Sequence, residues 1–196
     1  MSKIKIALAC QGGGSQTAFT AGALKALCQA EQGHNFEVVA VSGTSGGAVC
    51  AALVWYAHLK GEQPLWGRLM KFWEENTAQS AAEHVINRFI VESTRLVNAG
   101  LLPTLHFSPS SPAVQMATQF MMSGQRKGFS DFKALLETHI DFAEIAAWGP
   151  GPHRPTLVIG AANVISGALE KFTSKRERSE EHTSELQSRL HLVCRL

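Results

Sequence analysis

The stretch from Val39 to Ala48 constrains the fold of this chain more than any other segment. It reads Val-Ala-Val-Ser-Gly-Thr-Ser-Gly-Gly-Ala, which predicts a short apolar strand, a sharp turn and the start of a helix. The turn has the pattern Gly-x-Ser-x-Gly, with Ser45 at its apex. A turn of this kind exposes the serine hydroxyl on a tight corner, and the glycines are needed because side chains would clash there.

A second glycine cluster, Gly12-Gly13-Gly14, also follows an apolar segment. Residues Lys3–Cys10 predict a strand, and a helical pattern of apolar residues begins near Thr17. One helix and one strand separate the two glycine turns, so both turns belong to a single β-α-β unit with parallel strands. Because parallel strands end at the same edge of a sheet, we expect both turns where α/β proteins place their sites.

These two turns together favour acyl transfer or hydrolysis. Ser45 is the candidate nucleophile. The free backbone N–H groups of the glycine cluster, and that of the residue after Ser45 at a positive helix end, are suited to an oxyanion hole. The candidate donors are Gly12, Gly13, Gly14 and Gly46. The repeated strand, turn and helix predict a three-layer α/β/α sandwich on a mainly parallel sheet.

At these residues the chain resembles the patatin-like phospholipases, whose first motif is Gly-Gly-Gly-x-basic-Gly and whose second is Gly-x-Ser-x-Gly. The resemblance runs from Ile4 to Thr173, with Gln16 in place of the usual basic residue and Thr17 in place of the last glycine. It implies a lipid acyl hydrolase of the phospholipase A or acylglycerol esterase type that uses a Ser–Asp dyad without histidine. It implies a lipid ester substrate and neither a metal nor a cofactor.

The dyad aspartate that the resemblance implies lies in an Asp-Gly-Gly/Ala motif, which this sequence lacks. Its two aspartates, Asp131 and Asp141, each precede phenylalanine. The segment Arg178–Ser188 matches an in-frame translation of a common sequencing-library adapter. We therefore expect a truncated acyl hydrolase domain over residues 1–177 and an artefactual tail over residues 178–196. The 196-residue chain should then hydrolyse lipid esters poorly, because a serine needs a base to accept its proton.

Charge and cysteine usage narrow the class of protein further. The formal net charge of +2 gives no field that would favour nucleic acid. Cys10, Cys28 and Cys50 lie in apolar segments without metal-ligand spacing, which is typical of reduced core cysteines in a cytoplasmic protein. The apolar segment Ala48–Ala57 is too short to span a bilayer and predicts a buried central helix. We expect a cytoplasmic location with transient contact to a membrane surface.

The rest of the chain predicts further helices and a hairpin. Pro112 suits the first turn of a helix after a serine cap. The apolar side chains of Met116–Met122 are expected in the core, with the lining of an acyl-chain pocket as the alternative. Ser130 is the expected cap of a helix around Phe132–His139. Thr156–Ala162 and Ala168–Thr173 predict two strands around a turn. Other apolar residues at helical spacing are Leu65, Trp66, Leu69, Met70, Trp73, Ala82, Val85, Ile86, Phe89 and Ile90.

Three other interpretations stay open at the level of sequence. The Gly12–Gly14 loop could cradle a phosphate, although the lysine of a P-loop is absent. A Ser-His-Asp esterase of the α/β-hydrolase type is formally allowed, with Asp131 or Asp141 followed by His153. The third interpretation is a truncated fragment without activity.

Overall fold

A computed structural model describes residues 3–103, 111–148, 155–163 and 165–175 of the chain. The strands are β1 (Ile4–Cys10), β2 (Phe36–Thr44), β3 (Thr156–Ala162) and β4 (Leu169–Thr173). The helices are α1 (Thr17–Gly33), α2 (Gly46–Leu59), α3 (Gly67–Glu75), α4 (Ala81–Asn98), α5 (Pro112–Met122), α6 (Lys127–Ser130), α7 (Phe132–His139) and α8 (Phe142–Trp148). A 3₁₀ turn, Gly14–Gln16, precedes α1.

The four described strands form one sheet in the order β1-β2-β3-β4. The pairs β1–β2 and β2–β3 are parallel, and the β3–β4 hairpin is antiparallel. The register places Cys10 opposite Gly43 and Gly43 opposite Ile159. The predicted parallel β-α-β unit and the predicted hairpin are therefore confirmed, and the fold is a mainly parallel sheet flanked by helices.

The helix α2 is buried along most of its length, as its uniformly apolar sequence predicts. Every residue from Gly47 to Ala57 is buried, and the helix packs on β2 and also contacts β1 and β3. Alanines at positions 48, 51, 52 and 57 allow a close approach to the sheet. Burying a side chain such as Leu53 stabilises a fold by about 1.5–3 kcal/mol, so α2 anchors the sheet from which the glycine turns emerge.

By internal contacts, the described residues divide into two compact units, one on either side of the boundaries after Trp73 and before Leu136: the first unit lies within residues 3–73 and 136–175, and the second within residues 74–135. The described part of the first unit contains the sheet, α1 and α2. At the far end of α2, the Tyr56 hydroxyl donates a 2.5 Å hydrogen bond to Glu144, which also pairs with Lys60 at 2.6 Å. Glu144 thereby fixes α8 against the C-terminal end of α2.

In the second unit, the carboxylate of Glu83 is fully buried and paired with Arg126. The guanidinium donates to both carboxylate oxygens, at 2.9 and 3.0 Å, and to the carbonyl of Thr77 at 2.9 Å. Glu83 also completes a capping box with Ser80 at the start of α4. One partly buried ion pair therefore joins the start of α4 to the segment that leads into α6.

Two predictions about the second unit are wrong. Met116 and Phe120 are 71% and 82% exposed, so these members of the predicted core cluster lie on the surface. Helical spacing identifies an apolar face but not whether another element covers it. The cap of α7 is Asp131 and not Ser130: the Asp131 carboxylate accepts a 3.0 Å hydrogen bond from the Ala134 N–H, while the Ser130 hydroxyl bonds the Arg126 carbonyl.

The predicted start of α5 is confirmed in part. Pro112 occupies its first turn, but the Ser111 side chain at the cap position makes no capping hydrogen bond. In the described part of the chain, no helix combines the length and apolar composition needed to cross a membrane. Residues 104–110 and 149–154 and the predicted tail 178–196 lie outside the described residues.

Candidate active site

Ser45 occupies the corner between β2 and α2 in a strained backbone conformation. Its φ and ψ are 52° and −133°, and it is the one non-glycine residue with positive φ in the described part of the chain. Such a conformation costs on the order of 1–3 kcal/mol and persists only where the surrounding structure enforces it. The side chain of Ser45 is exposed and makes no capping hydrogen bond to α2. The hydroxyl is therefore presented to solvent.

The two glycines of the pattern allow the backbone to turn this sharply. A Cβ on Gly43 would lie 2.6 Å from the Ala48 nitrogen, and one on Gly47 would lie 2.6 Å from the Gln11 carbonyl oxygen. Neither position has room for a side chain. Gly43 therefore lets α2 fold back on the end of β2, and Gly47 lets α2 pass against the chain that leaves β1.

The glycine cluster after β1 lies beside Ser45. A Cβ on Gly12 would be 3.0 Å from the Ser45 Cβ and 2.8 Å from the Thr44 carbonyl oxygen. The register explains this contact, because Cys10 pairs with Gly43 and both strands end at the same edge. The turns that the sequence predicts to form one site are thus brought together.

The candidate oxyanion donors are unengaged in this arrangement. Among the described turns, loops and caps, the N–H groups of Gly12, Gly13, Gly14 and Gly46 donate no backbone hydrogen bond. Gly46 is the first residue of α2, where an N–H has no partner within the helix. These groups remain available to a negatively charged oxygen.

Thr17 connects the two turns, and sequence reasoning did not identify this role. Its side chain is 2% exposed, and its hydroxyl donates a 2.6 Å hydrogen bond to the Gly14 carbonyl. Its own carbonyl accepts a 3.6 Å hydrogen bond from the Cys50 thiol of α2. In the sequence, the one signal for Thr17 was that it replaces the last glycine of the motif.

Each of the two aspartates of the sequence makes hydrogen bonds at a helix start. The Asp131 carboxylate caps α7, and the Asp141 carboxylate accepts hydrogen bonds from the N–H groups of Ala143 and Glu144 at 2.9 and 3.0 Å. Both carboxylates therefore serve as helix caps. His153, the third member of the alternative triad, lies outside the described residues.

The cysteine beside the site is not a competing nucleophile. Cys10 ends β1 and is buried, and burial together with the neighbouring Cys50 and Cys28 thiols raises its pKa to about 11. The thiol is therefore protonated at neutral pH, and only a thiolate is a strong nucleophile. Within the ranges described, no group of three or more His, Cys, Asp or Glu side chains could hold a metal ion.

Comparison with known proteins identifies one family. The sequence model of the family described as Patatin-like phospholipase matches residues 8–182, which include both glycine turns. No curated protein and no solved structure matches the chain. The family match covers most of the 196 residues. The chain therefore belongs to the patatin-like phospholipase family.

Proposed function

We propose that this protein is a lipid acyl hydrolase, of the phospholipase A or acylglycerol esterase type, with Ser45 as its nucleophile. The observation that carries the proposal is the position of an exposed, strained serine directly beside the Gly12–Gly14 loop. Strain of this kind concentrates at functional sites. A nucleophile next to unengaged backbone donors is the arrangement that acyl transfer requires.

In the proposed reaction, the Ser45 oxygen attacks the ester carbonyl carbon and its proton passes to a base. The oxygen of the tetrahedral intermediate accepts hydrogen bonds from the N–H groups of Gly13, Gly14 and Gly46. The intermediate collapses, the C–O bond to the alcohol breaks, and the alcohol leaves with a proton. Water then hydrolyses the acyl-serine ester by the reverse sequence of steps and releases the fatty acid.

The proposed base is the aspartate of the Ser–Asp dyad that the family resemblance implies. We assign neither Asp131 nor Asp141 to this role, because each precedes phenylalanine and not the glycine of the dyad motif, and each carboxylate caps a helix. Loss of a general base typically slows a reaction by about 10²–10⁴-fold. We propose that residues 1–177 are part of a longer domain that includes this aspartate, called the full-length protein below, and activity is tested in it beside the 196-residue chain.

We further propose that this protein is cytoplasmic and that it meets its substrate at a lipid surface. Val85 and Phe89 on α4 are 69% and 63% exposed and lie four residues apart, on one face of the helix. An exposed apolar surface of this kind suits contact with membranes or other apolar partners. The three cysteines within the described residues are free and buried, which fits a reducing compartment.

The function is tested by fatty acid release from phosphatidylcholine vesicles. The full-length protein should release fatty acid and sediment with the vesicles, and Ser45→Ala should lose about 10⁴-fold or more in rate while still sedimenting. Ser42→Ala is the matched control. Ser42 lies three residues before Ser45, and its hydroxyl donates a 3.4 Å hydrogen bond to the Leu8 carbonyl. Equal release by wild type and Ser45→Ala would refute the proposed nucleophile. Absence of sedimentation would refute only the membrane contact.

A further inference from the structure

We propose that Thr17 is a positioning residue that sets the Gly12–Gly14 loop against the Ser45 turn and so aligns the donors of the oxyanion hole. This inference rests on the proposed function. It concerns the position where this chain departs from the glycine of the family motif.

The first observation is that the Thr17 side chain reaches both turns. Its hydroxyl donates to the Gly14 carbonyl at 2.6 Å. A Cβ on Gly46 would overlap the Thr17 hydroxyl oxygen and lie 3.0 Å from its methyl carbon. The Thr17 side chain therefore fills the space that a Gly46 side chain would need, and it also hydrogen-bonds the Gly12–Gly14 loop.

The second observation is that Thr17 cannot easily move. It is 2% exposed at the start of α1, and the Cys50 thiol on α2 donates to its carbonyl. The contacts of Thr17 thus fix the spacing between Gly14 and Gly46, which belong to different turns. Donors of an oxyanion hole must lie about 2.7–3.1 Å from the developing charge, so a small change in this spacing reduces catalysis.

The same contacts restrict the residue that follows the nucleophile. With threonine at position 17, position 46 accepts only glycine, because any Cβ meets the hydroxyl oxygen. With glycine at position 17 that obstacle is absent, and the closest remaining atom is the Gly14 carbonyl oxygen at 3.0 Å, which must shift slightly to admit a Cβ. We therefore expect positions 17 and 46 to be energetically coupled, since residues in direct contact do not behave additively.

The test combines kinetics and thermal unfolding of the full-length protein, with p-nitrophenyl butyrate as substrate. Thr17→Val removes the hydroxyl and keeps the shape, and it should lower kcat about 10–100-fold with unchanged KM and little change in Tm. Thr17→Ser keeps the hydroxyl, and its kcat should stay within about threefold of wild type. Thr94→Val is the matched control, because the exposed Thr94 hydroxyl bonds the Ile90 carbonyl at 2.8 Å in the second unit.

A double-mutant cycle covers the case in which Thr17→Val fails to fold. Gly46→Ala should lower both Tm and kcat, and adding Thr17→Gly should recover part of the lost Tm and raise kcat about tenfold or more over Gly46→Ala alone. Wild-type kcat in Thr17→Val, or a double variant no better than Gly46→Ala, would overturn the role of Thr17. Failure of the proposed function would look different, because the wild type itself would then show no Ser45-dependent turnover.

Discussion

At the scale of single residues, the backbone of Ser45 is held in its strained conformation by its neighbours. The Ser45 carbonyl accepts hydrogen bonds from the N–H groups of Ala48 and Val49, at 2.9 and 3.3 Å. The absence of side chains at Gly43 and Gly47 lets α2 pack directly against the strand ends. The first turn of α2 thus offsets a strain of about 1–3 kcal/mol at the corner.

The glycines of this corner could be predicted from the sequence, whereas Thr17 could not. A Gly-x-Ser-x-Gly pattern after an apolar strand describes a local turn, and local turns follow from local residues. The role of Thr17 depends on Gly46, which is brought near by strand pairing and not by proximity in the chain. Threonine is also common near helix starts, because its side chain can hydrogen-bond to neighbouring backbone groups there.

The buried carboxylate of Glu83 should make the stability of the protein sensitive to acid. Hydrogen bonds from Arg126, together with those from the N–H groups of Gln79 and Ser80, lower its pKa from 4.5 to about 2. A carboxyl whose pKa is lower in the folded state stabilises above its unfolded pKa, and this stabilisation disappears as pH falls through the folded pKa. The effect should therefore be present above pH 4.5 and lost towards pH 2.

Thermal unfolding at a series of pH values measures this effect. Glu83→Gln should lower Tm at pH 7, and the difference from wild type should shrink as pH falls from 4.5 towards 2. The control is Glu92→Gln, which removes an exposed pair with Arg95 at 3.1 Å and should leave Tm nearly unchanged. A Tm difference between wild type and Glu83→Gln that is independent of pH would contradict this explanation.

At the scale of elements, the start of α7 depends on one carboxylate. Asp131 accepts a hydrogen bond from the Ala134 N–H, which otherwise has no partner at a helix start. Asp131→Ala should therefore destabilise the protein by about 1 kcal/mol, measured by urea unfolding. Ser130→Ala is the neighbouring control and should change stability by less than about 0.5 kcal/mol. A larger loss of stability in Ser130→Ala than in Asp131→Ala would instead identify Ser130 as the cap.

The sequence could not decide between these two caps because serine and aspartate both favour the position. The choice depends on α6, a single turn that ends at Ser130. The Ser130 hydroxyl donates its hydrogen bond to the Arg126 carbonyl within this turn. The same reason explains the wrong prediction for Met116 and Phe120. Their helical periodicity was correct, since both lie on α5, but burial depends on contacts that are distant in sequence.

At the scale of the whole molecule, the predicted features are those that parallel strand pairing determines. The order of strand, helix and strand at the N-terminus predicts the edge at which the site lies, and the structure places both glycine turns there. The division at residues 73 and 135 has no sequence signal. The helices α3 and α7 run through these two positions, so neither a glycine-rich nor a proline-rich linker marks them.

The most direct test of the account is to locate the reactive serine in the full-length protein with a fluorophosphonate probe. Peptide mass spectrometry should find the label on the peptide that contains Ser45. Labelling should vanish in Ser45→Ala and persist in Ser42→Ala, since the probe reacts only with an activated serine. Equal labelling of wild type and Ser45→Ala would contradict the assignment of Ser45 as the nucleophile.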